Sequence, residues 1–414
     1  MMVAEQVNML LNGDFAVAWA WKHIEPDVVA AFPITPQTLI VEKFSEFVAN
    51  GEVRTVFINV ESEHSAISAI VGAAAAGARA ATATAANGLQ LMHEILSITS
   101  SMRLPVMLAI VNRAVSGPIN IHCDYTDAMG QRDMGWIMIF TEDAQEAYDT
   151  AIQAFRIGEN PEVLLPVMVC LDGFLVSHTA MNVRVFKDAK VVKDFVGERR
   201  QIPKIKVMGE EVELSLSPKN PVPLTFGPFA YYDYYFEFKR QQAEAMNKVP
   251  RVIEEVNKEY AEISGRSYGN GRVVSWNVED ADIVIVVMGS SAGTMRYVAK
   301  KYRKERGVKI GVLRVRAFRP FPWEDLQKLL AGKDVVAVFD RAQDQGALGG
   351  PLFLETLAAM YYAKDKPRHI LNYVYGLGGR DLPPELIEKA FDQLIRIRDG
   401  NCLLYTSPSP RDRG

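Results

Sequence analysis

The chain has 414 residues, 49% of them apolar, and a formal net charge of −4. That length suits two or three domains with a large buried core. The slightly acidic balance removes any charge argument for binding nucleic acid or an anionic membrane surface.

The opening MMVAEQVNMLLNGD has no basic flank and carries Glu5 early, so it does not read as a signal peptide. The longest low-polarity run, residues 66–86, is rich in Ala and Gly and interrupted by Arg79, a poor transmembrane candidate. Residues 28–32 are apolar and read as a buried strand. AAFPITPQT then brings Pro33 and Pro36, which fix their own φ and push Phe32 and Thr35 toward extended geometry. Pro36 is expected to open a helix running to residue 49. Strands follow at 55–60, 80–85, 105–111 and in LLPVMVCLD, alternating with helices at about 63–78, 89–101 and in EDAQEAYDTAIQAFRIGE. Strand–helix alternation with near-continuous apolar strands predicts an α/β fold with a parallel sheet covered on both faces.

Residues 1–182 make a first domain. Residues 183–269 lose the rhythm and read as a long connection packed on it, ending in a helix at about 238–263 and the turn-rich SGRSYGNGR. The pattern restarts in ADIVIVVMGSSAG and continues through KIGVLRVRAF, DVVAVFDR and HILNYVYGLGG, a smaller α/β domain over 270–398. The last residues, 401–414, break all periodicity; they resemble a translated sequencing-adaptor read-through, or else a disordered polar tail.

Ligands of α/β folds sit at the ends of parallel strands. Thr35 stands there, as a turn hydroxyl, a helix cap or a donor to a ligand. Glu61 and Glu63 follow the 55–60 strand; they either complement a helix dipole or hold a carboxyl against an apolar wall to share a proton with a heterocycle. Arg113, after the 105–111 strand, is a rim ion-pair partner or a clamp for carboxylate or phosphate. Asp124, Asp127, Arg132 and Asp133 read as a solvated loop with internal salt bridges. VMGSSAG lacks a dinucleotide or P-loop fingerprint, which counts against a nucleotide-binding oxidoreductase. GLGGRD reads as a structural turn. His64, His93 and His122 are not at metal-ligand spacing. Cys123, Cys170 and Cys402 form no CxxC, so no metal site or four-cysteine cluster is expected on this chain, and a reducing cytoplasm fits.

These stretches together resemble a known family. AFPITPQTLIVEKFSEFVANGE, VESEHSAISAIVGAAAAGARAATATAANGLQLMHE, MRLPVMLAIVNRAVSGPINI, QRDMGWI, LLPVMVCLDGF, RPFPWEDL and GLGGRD are similar to the α subunit of pyruvate:ferredoxin oxidoreductase and of its 2-ketoisovalerate relative, over about residues 8–395. The resemblance implies a thiamine-diphosphate enzyme that converts a 2-oxoacid and CoA to acyl-CoA and CO2 and reduces ferredoxin, active only with β, γ and δ subunits. It implies a pyrimidine-binding domain followed by a transketolase C-terminal-type domain, with the cofactor shared with the β subunit. Glu63 matches the glutamate at the aminopyrimidine ring, Thr35 the threonine that bonds the oxoacid, and Arg113 the arginine that meets its carboxylate. Asn87 and Gly88 fall where the family has a turn near the cofactor. The sequence departs from the family at Phe32, often Tyr, and at residues 122–125, His-Cys-Asp-Tyr. The chain has neither the Gly-Asp-Gly nor the Asn-Asn that anchors diphosphate through Mg²⁺. Mg²⁺ and [4Fe-4S] clusters are therefore expected on partner subunits. Pyruvate is the expected substrate, with 2-ketoisovalerate or another 2-oxoacid as the alternative. A non-catalytic assembly subunit is the competing role.

Overall fold

Short runs of Val, Ile, Met and Ala, apolar on both faces, favour strands buried between two helical layers. The computed structural model describes residues 3–197, 200–227 and 229–400. They fall into two α/β units. One holds residues up to 273 together with 316–322 and 377–379; the other holds 274–315, 323–376 and the residues from 380.

The first unit is built on a seven-stranded sheet. Its order is Ala317–Arg319, Ile137–Phe140, Val167–Asp172, Met107–Asn112, Ala80–Thr84, Val28–Ala31, Val56–Asn59. The last six strands are parallel, and Ala317–Arg319 runs antiparallel along one edge. Every residue of the 80–84, 107–112, 137–140 and 167–172 strands is buried, as a doubly covered sheet requires. Helices Gly13–Ile24, Thr38–Ala49 and Ala144–Gly158 pack on one another and on the sheet, with Trp21 edge-on to Phe44 at 5.6 Å.

Local caps fix where these helices begin. Asn12 accepts from the Phe15 amide at 2.8 Å, and Ser62 from the Ser65 amide at 3.2 Å. Asp143 accepts from the Glu146 amide while Glu146 reaches back to the Glu142 amide, each at 2.8 Å. The other Glu146 oxygen takes the Nε of the fully buried Arg316 at 2.7 Å. That buried pair fastens the 316–322 segment into the first unit, and breaking it should cost about 3–5 kcal/mol.

Four expectations need correction. The helix after AAFPITPQT starts at Thr38, not Pro36; residues 35–37 form a turn closed by the Gln37 amide on the Ile34 carbonyl at 2.9 Å. The helix expected at 89–101 is two helices, Ala86–Leu91 and His93–Ser101. The four-residue strand Ile137–Phe140 had too short a period to read. Residues 183–235, read as a long connection, carry regular elements of their own. Met181–Phe186 pairs antiparallel with Gln6–Leu11, helix Ala189–Val196 follows, and Lys204–Val207 with Glu210–Glu213 form a hairpin. Its two-residue turn, Met208 and Gly209, takes φ of 51° and 89°, the mirror-image turn that suits strand twist. Helix Tyr235–Ser264 then runs 30 residues with Pro250 inside it.

The second unit is a five-stranded sheet in the order Val273–Trp276, Ile310–Val315, Ile283–Val287, Val335–Asp340, His369–Val374. Its core gathers helices Ser291–Arg306 and Pro384–Arg398. VMGSSAG is the turn from the 283–287 strand into Ser291–Arg306. The tail 401–414, with Cys402, lies outside the described residues. No described helix is long and apolar enough to cross a membrane.

Candidate active site

Four neighbouring strands of the first sheet run parallel, so their carboxyl ends share one edge. Thr35, Glu63, the 86–88 turn and Arg113 each follow one of these strands. The sheet order 107–112, 80–84, 28–31, 56–59 brings together the five residues singled out from sequence.

Glu63 opens helix Glu63–Ala75 and is only 7% exposed. Its carboxyl has no hydrogen-bond partner among the described residues. It packs against Gly88. A Cβ built there would stand 2.6 Å from Glu63 Oε1 and 2.5 Å from Thr84 Oγ1, closer than any real contact. The Thr84 hydroxyl is itself buried without a partner among the described residues. Glu61, two residues earlier, is exposed and accepts from the Ser65 hydroxyl, which holds its pKa below the ordinary carboxylate value. The two acids are distinct: Glu61 is solvated, whereas Glu63, the one the family resemblance singled out, is buried and makes no side-chain hydrogen bond among the described residues.

Arg113 is buried, and backbone carbonyls hold it. Its Nε donates to Asn120 O at 3.1 Å and its Nη1 to Thr35 O at 2.8 Å. Nη2 has no partner among the described residues. It is not a rim ion pair. Thr35 is exposed, and its hydroxyl caps no helix; Gln37 occupies the cap position and its side chain donates to Phe32 O at 2.8 Å. Asn87 is exposed and accepts from the Ser116 amide at 3.0 Å, tying the loop after Arg113 to the 86–88 turn.

Asp127 is the residue that sequence reasoning misplaced. With Asp124 it was expected in a solvated loop, yet both are buried. Asp127 accepts from the amides of Ala86, Arg113 and Ala128 at 3.0, 3.0 and 2.7 Å and from Asn112 Nδ2 at 2.9 Å. It locks the ends of two strands together and holds Ala86 at a φ of 42°. Asp133 does behave as expected, exposed and 3.6 Å from Arg319.

Burial pushes the Asp127 pKa up to about 7, against four donors that pull it down. A carboxyl raised above its ordinary 3.8 binds a proton on folding. Its contribution is complete below pH 3.8 and lost as pH rises through 7. Denaturant unfolding between pH 5 and 8 should therefore show a falling wild-type stability, by about 1.4 kcal/mol per pH unit at most. Asp127→Asn should be less stable overall and flatter with pH. Equal slopes in the two proteins would contradict this.

A family model described as pyruvate flavodoxin/ferredoxin oxidoreductase, thiamine diphosphate-binding, matches residues 20–258. A second, pyruvate:ferredoxin oxidoreductase core domain II, matches residues 281–387. A pyruvate synthase subunit PorA of Thermotoga maritima is 53% identical over 396 residues, 96% of each chain. The chain belongs to the pyruvate:ferredoxin oxidoreductase family.

Within that family it is the α subunit of a 2-oxoacid:ferredoxin oxidoreductase, one component of a multi-subunit enzyme. The PorA of Methanocaldococcus jannaschii is 46% identical over 95% of this chain and 96% of its own. The ketoisovalerate oxidoreductase subunit VorA of Pyrococcus abyssi is 39% identical over 96% of each. Among solved structures, 2-oxoglutarate:ferredoxin oxidoreductase from Magnetococcus marinus superposes with a TM-score of 0.72 at 20% identity, over 95% of this chain and 66% of that one. A split-gene transketolase superposes at 0.53 and 14% identity, over 94% and 100%. These two likenesses speak to fold alone, and both agree with a two-unit α/β chain. The oxidoreductase family's thiamine diphosphate-binding region covers all five residues of the site.

Proposed function

We propose that this subunit forms the pyrimidine-side wall of a thiamine diphosphate site and recognises pyruvate there. The observation that carries the reading is Glu63: a buried residue whose carboxyl has no hydrogen-bond partner among the described residues, facing a glycine that leaves it room. Such a group fits a heterocycle with a ring nitrogen able to share a proton.

Thiamine diphosphate, when bound, supplies the carbon nucleophile and electron sink that 2-oxoacid decarboxylation needs. Glu63 shares a proton with the aminopyrimidine ring nitrogen. Asn87 and Gly88 shape the turn beside it. The Arg113 guanidinium, already held by two carbonyls, turns its remaining donors to the substrate carboxylate. The Thr35 hydroxyl hydrogen-bonds the oxoacid and helps orient its reactive carbon. The β subunit completes the site with Mg²⁺ and the diphosphate anchor. Partner β, γ and δ subunits hold the [4Fe-4S] clusters, and the cytoplasmic complex uses CoA and ferredoxin as co-substrates. The domain reading of 1–182, 183–269 and 270–398 then gives a pyrimidine-binding domain, a segment packed on it and a transketolase C-terminal-like domain.

The test is a substrate panel on the complex reconstituted with its β, γ and δ subunits. Pyruvate should exceed 2-ketoisovalerate in kcat/KM by roughly 10–200-fold, the discrimination expected of an apolar pocket. The likeness to VorA favours the branched substrate as the second reading; a higher kcat/KM for 2-ketoisovalerate would establish it and overturn pyruvate.

Gly88→Ala offers an independent check. The new methyl group must displace the Glu63 carboxyl, and a displacement of about 1 Å at a reacting group costs on the order of 10²-fold in rate. The measured kcat of the complex should fall accordingly, with thiamine diphosphate bound more weakly. Unchanged kcat and affinity would separate Glu63 from the cofactor.

A further inference from the structure

GLGGRD was read as a turn, but its glycines do more than reverse the chain. Residues 377–379 group with the first unit, although the strand before them and the helix after them belong to the second. They lie along the loop that follows Arg113. Asn120 Nδ2 donates to Gly378 O at 3.0 Å, the Gly378 amide donates to Asp124 Oδ2 at 3.0 Å, and the Gly379 amide donates to Cys123 O at 2.8 Å. Gly378 and Gly379 take φ of 59° and 78°. A Cβ on Gly378 would stand 2.4 Å from Asn120 Nδ2, and one on Gly379 would stand 2.3 Å from His122 Cβ. Positive φ and close approach both demand glycine here.

Asn120 joins this turn to the arginine. Its Oδ1 accepts from the His122 amide at 2.8 Å, its Nδ2 reaches Gly378, and its own carbonyl accepts Arg113 Nε at 3.1 Å. The segment around it is mostly exposed, residues 116–119 and 121–122, Ile119 by 78%. It is tied down at its ends by the Ser116 amide on Asn87 at 3.0 Å and the Ala114 amide on His122 O at 3.0 Å. Without the Gly378 bond, the carbonyl that fixes one side of the guanidinium loses the anchor on its own residue and is positioned less tightly by the anchors at the ends of the loop. The other side stays on Thr35 O at 2.8 Å.

We propose that Asn120 is a positioning residue for substrate binding, which holds the Arg113 guanidinium at a fixed reach by pinning its loop to the Gly378–Gly379 turn. This rests on the reading that Arg113 meets the oxoacid carboxylate. Asn120 touches no substrate itself. Its effect therefore falls on KM for the 2-oxoacid, not on turnover or on CoA.

The experiment compares Asn120→Ala, Arg113→Ala and the double variant in the reconstituted complex, with pyruvate, CoA and ferredoxin varied separately. Asn120→Ala should raise KM for pyruvate about tenfold, the effect of one net hydrogen bond lost. It should leave kcat and KM for CoA within about twofold, and add nothing in the Arg113→Ala background. Asn120→Asp keeps the acceptor for His122 and cannot donate to Gly378, so it should shift KM the same way if the alanine variant does not assemble. Additive effects in the double variant, or an unchanged KM for both Asn120 variants while Arg113→Ala raises it, would overturn the positioning role alone. An unchanged KM in Arg113→Ala would instead overturn the carboxylate reading on which it rests.

Discussion

Replacing Glu63 by Gln should slow the assembled complex by roughly 10²–10⁴-fold, the range for losing a positioned acid–base group, while the melting temperature stays level or rises. The two parts of that expectation have one cause. The residue is 7% exposed and its carboxyl makes no hydrogen bond within the described residues, so folding gains no bond from it that glutamine would lose. A carboxyl left without a partner and set against a glycine that admits no side chain is open to a ligand. Glutamine preserves the volume against Gly88 but cannot carry the proton. Glu61→Gln is the matched control: that side chain is exposed, and its replacement should change turnover by no more than about twofold. A Glu63→Gln complex at full rate would remove the residue from the chemistry. A subunit that only helped assembly would show that result, because its Glu63 would have no proton to share.

Arg113→Ala should raise KM for the 2-oxoacid by roughly 10–100-fold, the equivalent of one charged hydrogen bond, with KM for CoA unaffected. Arg113→Lys should recover little of the loss. The guanidinium meets Asn120 O and Thr35 O through two different nitrogens, a planar fork that an ammonium cannot reproduce while still offering a donor outward. The lysine variant should therefore bind pyruvate more weakly than wild type although its charge is intact. Steady-state kinetics of both variants read this directly; a lysine variant with wild-type KM would mean that charge alone suffices.

Much of the site was legible because parallel strands make local sequence speak for distant geometry. Thr35, Glu63, Gly88 and Arg113 each follow an apolar run, and four such runs in one parallel sheet put their ends together. Spacing alone did not choose between Glu61 and Glu63; the family resemblance singled out Glu63. They differ in which side of a helix start they occupy, and only Ser62 as the cap settles which one turns inward. Asp127 was missed for a deeper reason. In CDYTDAMGQRD it sits among charges, and a charged run reads as solvated. Its burial depends on Ala86 and Asn112, donors brought from neighbouring strands. GLGGRD hid its partners similarly, since Asn120 and Asp124 lie more than 250 positions earlier, separated by 258 and 254 residues. The helix start at Thr38 follows a turn closed by the Gln37 amide on Ile34 O, a backbone bond that residue propensity does not encode.

The central claim is that Glu63, at the mouth of its helix and against Gly88, faces the aminopyrimidine ring of a cofactor shared with another subunit. The most direct measurement is an experimental structure of the reconstituted complex loaded with thiamine diphosphate. It should place a ring nitrogen within hydrogen-bond reach of the Glu63 carboxyl, about 2.6–3.2 Å, with Arg113 and Thr35 on the substrate side. A cofactor bound elsewhere, with the Glu63 carboxyl paired to a partner side chain, would contradict the account.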